Sequence, residues 1–264
     1  MKIGIVGSEG VVGKACTAGF IKLGYTVLPH DISLTTKLSD LLPAEVVFIC
    51  VPTPSDSNGK CDTSIVENVI AELYSNNYGG VIAIKSTVEP GTTARLINQY
   101  DDRIVFVPEF LKERSAEYDF IFDHRLLLVG TDNVVNFYTV QRAHGDLPKD
   151  IMRVSATEAE LMKYYHNTFN ALRIVFANTM FEISDRMDAS YDKIKEAFLR
   201  NNDMPDEYLD VKPELRGYGG ACLPKDVLAM QRTCESLGLP NNLFKSIDEE
   251  NKHFKTTVFK GMRE

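Results

Sequence analysis

Val46-Val47-Phe48-Ile49-Cys50-Val51 is an unbroken apolar run that ends abruptly at Pro52-Thr53-Pro54. A strand with no polar residue at alternate positions has no face to offer water, so it must be covered on both sides. That is the situation of a central strand in a parallel sheet flanked by helices. Residues 2–6, 25–28, 81–85, 104–107 and 126–130 read as further strands, with helical stretches at 14–23 and 63–74 between them. Such alternation gives an α/β fold with a parallel sheet.

The first strand runs straight into Gly7-Ser8-Glu9-Gly10-Val11-Val12-Gly13 and then a helix. Glycines at a strand-to-helix turn let the backbone approach a pyrophosphate, which the helix N-terminus attracts. Gly10 and Gly13 keep the usual spacing, but Gly7 lies one residue further upstream, so the turn is expected to be one residue longer, with Glu9 in the extra position. The candidate cradle is Gly7, Ser8, Gly10, Val11, Val12 and Gly13, and the alternative is a tight turn without a ligand. Asp31 closes the second strand, where a carboxylate can accept from ribose hydroxyls and repel a 2′-phosphate. That favours NAD over NADP; a turn-forming Asp is the alternative. Val51, Pro52 and Thr53 sit at the strand end where ligands of such sheets bind.

A net charge of −8 argues against binding to nucleic acid, which calls for a basic patch. No apolar run is long enough for a membrane span, and the chain begins on a strand, so neither membrane insertion nor a secretory leader is expected. The cysteines at 16, 50, 61, 222 and 234 show no paired or metal-ligating spacing, which suits a reducing cytoplasm.

Beyond residue 153 the pattern changes. Thr157 and Glu160 are spaced as a capping box that opens a helix reaching about Asp188. Leu161, Tyr165, Phe169, Leu172, Phe176, Met180, Ile183 and Met187 recur along it at helical steps, an apolar stripe about 45 Å long. A stripe of this length needs a covering surface, so the helix is expected to be the spine of a second domain and a homodimer contact. The fold class is thus α/β: an N-terminal Rossmann-like parallel-sheet domain at 1–153, then an all-helical domain at 154–264 built on a long central helix. Further helices are expected at 191–200, 223–237 and 243–259, with a polar loop at 201–213. Lys163 and Asn167 share one face of the long helix.

Arg216-Gly217-Tyr218-Gly219-Gly220-Ala221-Cys222-Leu223-Pro224-Lys225-Asp226 precedes one of these helices. Pro224 suits a first helical turn, which puts Cys222 at the helix N-terminus, where N–H groups and the dipole favour a thiolate. A thiol so placed can act as a covalent nucleophile, although a buried inert thiol is the plainer alternative.

This loop resembles the cysteine loop of the UDP-glucose/GDP-mannose dehydrogenases. The Val51-Pro52-Thr53-Pro54 turn, the Ser86-Thr87-Val88 turn with Pro90-Gly91-Thr92, and Pro108-Glu109-Phe110-Leu111-Lys112-Glu113 resemble family segments in the same order. The resemblance implies NAD as cofactor and a nucleotide sugar as substrate, with a primary alcohol oxidised twice to the acid. It implies catalytic roles for Cys222, Lys163, Asn167, Asp226, Glu109 and Thr87. Thr87, Glu113 and Lys225 would lie by the cofactor. Phe110, Leu111, Lys112, Glu113, Lys163, Asn167, Tyr218 and Gly219 would meet the substrate, and Asn178 would be structural. Without the family, Glu109 and Glu113 read as a solvated pair and Lys163 as a solvated lysine. Family members carry a third domain that grips the nucleotide, and the resemblance ends near Phe254. The expectation is a fragment, a partner chain, or a smaller substrate. Single-step oxidation of the β-hydroxyacid dehydrogenase kind and non-catalytic NAD binding are the alternatives.

Overall fold

The structure, a computed structural model, describes residues 1–56 and 59–254. The chain forms two compact units, one comprising Met1–Pro54 and Cys61–Lys163, the other Ser55–Lys60 and the chain from Tyr164 onward. The division therefore falls inside the long helix.

The first unit is built on a sheet in the order β2-β1-β3-β4-β5-β6-β7. Its strands are β1 (Lys2–Val6), β2 (Thr26–His30), β3 (Val46–Ile49), β4 (Val81–Ile84), β5 (Ile104–Phe106), β6 (Leu126–Gly130) and β7 (Asp150–Val154). β2 and β3 pair on opposite sides of β1, so the order reverses at the C-terminal ends of β1 and β3, the place where such sheets open a ligand crevice. Both faces are covered. Val47, Ile49, Ile82 and Ile84 bury on one side, and Val46, Phe48, Val81 and Ala83 on the other. Each such side chain contributes about 1.5–3 kcal/mol on burial.

The parallel sheet expected from the sequence holds for β1 to β5. β6 pairs antiparallel with β5, through Phe106 and Gly130, and β7 runs parallel to β6. An apolar run such as Leu126–Gly130 reads the same in either direction, so the sequence carries no sign of the reversal. β7 gives no apolar run because it is an edge strand with three of its five residues exposed.

The helices of this unit are α1 (Val11–Lys22), α2 (Ser64–Ser75), α3 (Thr92–Gln99), α4 (Ala116–Phe122) and α5 (Val134–His144). α1 begins at Val11, earlier than expected, because Gly10 is already the extended N-cap residue. α6 (Ala156–Arg186) is 31 residues long, about 46 Å at the helical rise. Its N-terminal box is Ser155 with Glu158, rather than the expected Thr157 with Glu160. The Ser155 N–H donates to Glu158 Oε2 at 2.8 Å, and the Glu158 N–H donates to Ser155 Oγ at 3.3 Å. Glu160 is fully buried and does something else: it accepts from the N–H groups of Gly91 at 2.6 Å and Thr93 at 2.8 Å, capping α3. Burial raises its pKa, and these two donors offset part of the rise. The two patterns have the same spacing two residues apart, so sequence cannot separate them.

The second unit contains the rest of α6 with α7 (Tyr191–Asn202), α8 (Leu223–Ser236) and α9 (Asn242–Asn251). Residues 255–259 of the expected last helix lie outside the described residues. Ala171 and Val175 of α6 pack with Tyr218, Val227, Ile247 and Phe254. Leu209 and Val211 pin the intervening loop against Ala177 and Tyr191. Of the α6 stripe, Leu161, Tyr165, Phe169, Phe176, Ile183 and Met187 are exposed. Among the described residues no helix is long and apolar enough to cross a membrane.

Glu160→Ala leaves two buried N–H groups without acceptors, and is expected to cost about 2–4 kcal/mol. Urea unfolding should show a lower midpoint at unchanged slope. Thr157→Ala should stay within about 0.5 kcal/mol of the parent.

Candidate active site

In the first unit the turn after β1 is held from below. The N–H groups of Gly7 and Ser8 both donate to the His30 carbonyl, at 2.8 and 3.2 Å, and the Gly10 N–H donates to Gly7 O at 3.1 Å. Gly7 takes φ +80°, and a Cβ there would lie 2.5 Å from Cys50 O; a Cβ on Gly13 would lie 2.1 Å from Gly7 O. The turn is thus pressed against the end of β3 and the first turn of α1 with no side chain tolerated at either contact. Glu9 occupies the extra position, exposed, with its N–H donating to Asp31 Oδ2 at 3.1 Å.

Asp31 Oδ1 accepts from the Ser33 N–H at 3.0 Å and its hydroxyl at 2.9 Å. The Ser33 N–H, then its hydroxyl and the Glu9 N–H, hold the Asp31 carboxyl below its ordinary range. A carboxylate has about four lone-pair sites, so ribose hydroxyls still have acceptors here. Ser8 is buried and its Oγ has no hydrogen-bond partner. A helix N-terminus, glycines that exclude Cβ atoms, an orphaned hydroxyl and a terminal carboxylate together fit a dinucleotide. Val11 and Val12 form the half-buried start of α1. Beside it, Ser86 Oγ donates to Val51 O and Thr53 Oγ1 to Thr87 O, both at 2.7 Å, tying the turn at Val51-Pro52-Thr53 to that at Thr87.

Past β5 the Glu109 side chain turns inward. Its Oε2 lies 3.0 Å from Lys85 Nζ, with the lysine side chain 1% and the glutamate 11% exposed. Oε1 accepts from the Phe110 N–H at 3.0 Å, and Lys163 Nζ donates to the Glu109 carbonyl. Burial pushes Glu109 up, but Lys85, His124 and the Phe110 N–H together hold it below the usual carboxylate range. Burial depresses Lys85, yet Glu109 and the Cys16 and Cys50 thiols carry it above its ordinary value. Glu109 is therefore no solvated partner of Glu113, which is exposed at the start of a short 3-10 turn, Glu113–Ser115. Leu111 packs on the core; Lys112 is exposed, and its N–H donates to Asp119.

Lys85 is not distinguishable by sequence pattern, because it follows an apolar run and looks like the point where the strand meets water. The available signal is its place, at the C-terminal end of a central strand.

In the second unit Cys222 is an exposed free thiol at the N-cap of α8, with Pro224 in the first turn. One turn on, Asp226 donates its N–H to the Cys222 carbonyl at 2.9 Å. The Asp226 carboxylate is fully buried; Oδ2 accepts from Asn167 Nδ2 at 2.5 Å, and Oδ1 lies 2.9 Å from Lys225 Nζ. Gly217 and Gly220 take φ +64° and +77°, while Gly219 stays outside the left-handed region.

Asn178 Oδ1 accepts from Arg216 Nε at 2.6 Å and the Gly217 N–H at 3.2 Å, so Asn178 holds the loop to α6. Asn251 brackets Tyr218, accepting from its N–H at 2.8 Å and donating to its carbonyl at 2.9 Å. The Tyr218 ring lies in the core against Val175 and Ile247, so at this position the loop offers backbone rather than the phenol. Burial, with Asp248 nearby, pushes that hydroxyl's pKa up.

Residues 32–144 match the model of the UDP-glucose/GDP-mannose dehydrogenase family, NAD binding domain, and residues 157–253 match the same family's central domain. The chain is 28% identical over 223 residues to a UDP-glucose 6-dehydrogenase of Rickettsia felis, covering 81% of this chain and 49% of that protein. It is 29% identical to the enzyme of that name from Rickettsia typhi, over 81% of this chain and 50% of the other. A UDP-glucose dehydrogenase structure from Pyrobaculum islandicum superposes with a TM-score of 0.86 at 26% identity, covering 96% of this chain and 68% of that one. The chain spans about half the length of the curated relatives it matches. NAD is the cofactor for which the first unit is built.

Isothermal titration should show NAD bound in preference to NADP. Asp31→Ala is expected to weaken NAD by about tenfold or more and to narrow that preference.

Proposed function

The chain belongs to the UDP-glucose/GDP-mannose dehydrogenase family, and we propose that it oxidises the primary alcohol of a nucleotide sugar, UDP-glucose-like, to the uronic acid in two steps. The observation that carries this reading is Asp226: a fully buried carboxylate taken up by Asn167 and Lys225, one helical turn from an exposed Cys222. A binding domain alone would not need to bury and pair a charge next to a thiol.

Gly7, Ser8, Gly10, Gly13 and Asp31 would hold NAD, and one NAD for each of the two oxidations would supply the hydride acceptor. In the first, Lys163 and Asn167 hold the oxygen at the reacting carbon. Asp226, through a water, takes up the hydroxyl proton. The carbon loses a hydride and becomes an aldehyde. An aldehyde cannot yield a second hydride until a nucleophile has added to its carbonyl. The Cys222 sulfur adds to that carbon, forming a thiohemiacetal, and loss of a second hydride leaves a thioester. Glu109 directs water onto the thioester carbon; the C–S bond breaks, the acid departs and the thiol is restored. Thr87 and Glu113 border the nicotinamide in this scheme, with Lys225 near the cofactor. Phe110, Leu111, Lys112 and the Tyr218-Gly219 backbone border the sugar nucleotide.

The exposed stripe on α6 supports a homodimer formed through that helix, since side chains such as Tyr165, Phe176 and Ile183 would otherwise face water. The absence of paired cysteines supports a cytoplasmic setting. Sedimentation should report a dimer that Phe169→Glu with Phe176→Glu converts to a monomer.

With UDP-glucose, UDP-N-acetyl sugars and GDP-mannose, the protein should form two NADH per sugar consumed. Cys222→Ser should stop acid formation; undiminished acid output from that variant would overturn the thioester route. A yield of one NADH per sugar would favour a single oxidation.

A further inference from the structure

Lys85 has no part in the scheme above, yet it is the least solvated cation in its surroundings. Its side chain is 1% exposed and its Nζ lies 3.0 Å from Glu109 Oε2. The rings of Phe48 and Phe120 stand 5.8 Å from the same nitrogen. An ammonium enclosed this way loses its water, and it is stable there only beside an anion. Glu109 is that anion.

The remaining groups around the pair come from several elements. His124 precedes β6, His144 ends α5, Cys16 lies on α1, and Cys50 follows β3. Burial pulls both histidines below their ordinary value and pushes the Cys16 thiol above its own. Lys163 donates to the Glu109 carbonyl. Lys85 stands at ion-pair distance from the carboxylate itself.

We propose that Lys85 is a positioning residue for Glu109: its enclosed ammonium keeps the carboxylate ionised and turned inward. The Glu109 backbone is thereby fixed where its carbonyl receives Lys163. The inference rests on the reading that Glu109 serves the hydrolytic step, and it gives that step a carboxylate that stays charged across the neutral range. A buried carboxyl without such a partner takes up a proton instead.

The test is infrared titration of the whole chain with labelled glutamate carboxyls, the Glu109 band being the one that Glu109→Gln removes. In the parent the band should remain that of a carboxylate well into acid. In Lys85→Met the carboxylic acid band should appear at a pH higher by about one to three units. An unchanged midpoint overturns the proposal. Should Lys85→Met fail to fold, Lys85→Met with Glu109→Gln, which removes both charges, should fold and show a cooperative unfolding transition. A double variant that also fails to fold overturns the proposal as well.

The acid limb of the NADH-forming rate should move with the infrared midpoint. An infrared shift in a protein that forms no NADH from any sugar strikes the dehydrogenase reading and leaves Lys85 in its role. NADH formation with an unmoved infrared midpoint does the reverse.

Discussion

The carboxylates of Glu109, Glu160 and Asp226 are all withdrawn from water, and each is met by a hydrogen-bond donor or a cation. Burying a charge is tolerable only when geometry and partners are good. Removing one partner of such a pair costs about 3–5 kcal/mol. Each of the three is therefore sensitive to the loss of a single partner. Glu160 anchors the N-terminus of α3, Glu109 takes Lys85, and Asp226 takes Asn167 and Lys225. Two of the anchors touch α6, and a third α6 residue, Asn178, holds the loop that leads to Cys222. One long helix thus commits its polar residues to anchoring, while its apolar stripe is left exposed.

The cysteines show how position rather than residue type decides chemistry. Cys16 is fully buried and burial pushes its thiol well above the ordinary value, so the reactive anion is suppressed. Cys234 is buried within α8. Cys222, at the N-terminal end of the same helix, is exposed to solvent and to the unsatisfied N–H groups of the first turn. Sequence spacing to Pro224 is enough to distinguish it, because proline marks where a helix can begin.

What the sequence reveals elsewhere follows the same physics. β3 is legible because strands covered on both faces must be apolar throughout. α6 is legible because apolar residues at three- and four-residue steps over thirty positions make a continuous face on a helix and on no other regular element. The cradle glycines are legible because only a residue without Cβ fits beside Cys50 O and Gly7 O. Direction and pairing are not. The reversal of β6 depends on which way the chain returns, which no local pattern records. The partners of Glu160 and Lys85 lie 69 and 24 residues away in sequence, 91 to 160 and 85 to 109, so a buried charge and a solvated one look alike until the fold brings them together. Even the capping box fails for this reason, since Glu160 has the right spacing and a better acceptor role elsewhere.

The buried ionisable groups of the first unit also oppose one another in pH. Glu109 is depressed on folding, so it contributes stability above its unfolded pKa, and that contribution is lost as acid protonates the folded form. Lys85 is raised, so its contribution is present below its unfolded pKa and lost only in strong base. Between those limits the pair is intact. His144 works within the same limits on the acid side. Burial keeps it neutral far below its ordinary value, so once pH falls under about 6.5 the unfolded chain binds a proton that the folded one refuses. Glu160, raised by burial, leans the other way and gains from mild acid. The unfolded value of a histidine lies above that of a glutamate, so on acidification the loss at the aromatic cluster of Phe20, Phe48 and His144 begins ahead of that at the Lys85–Glu109 pair beside it.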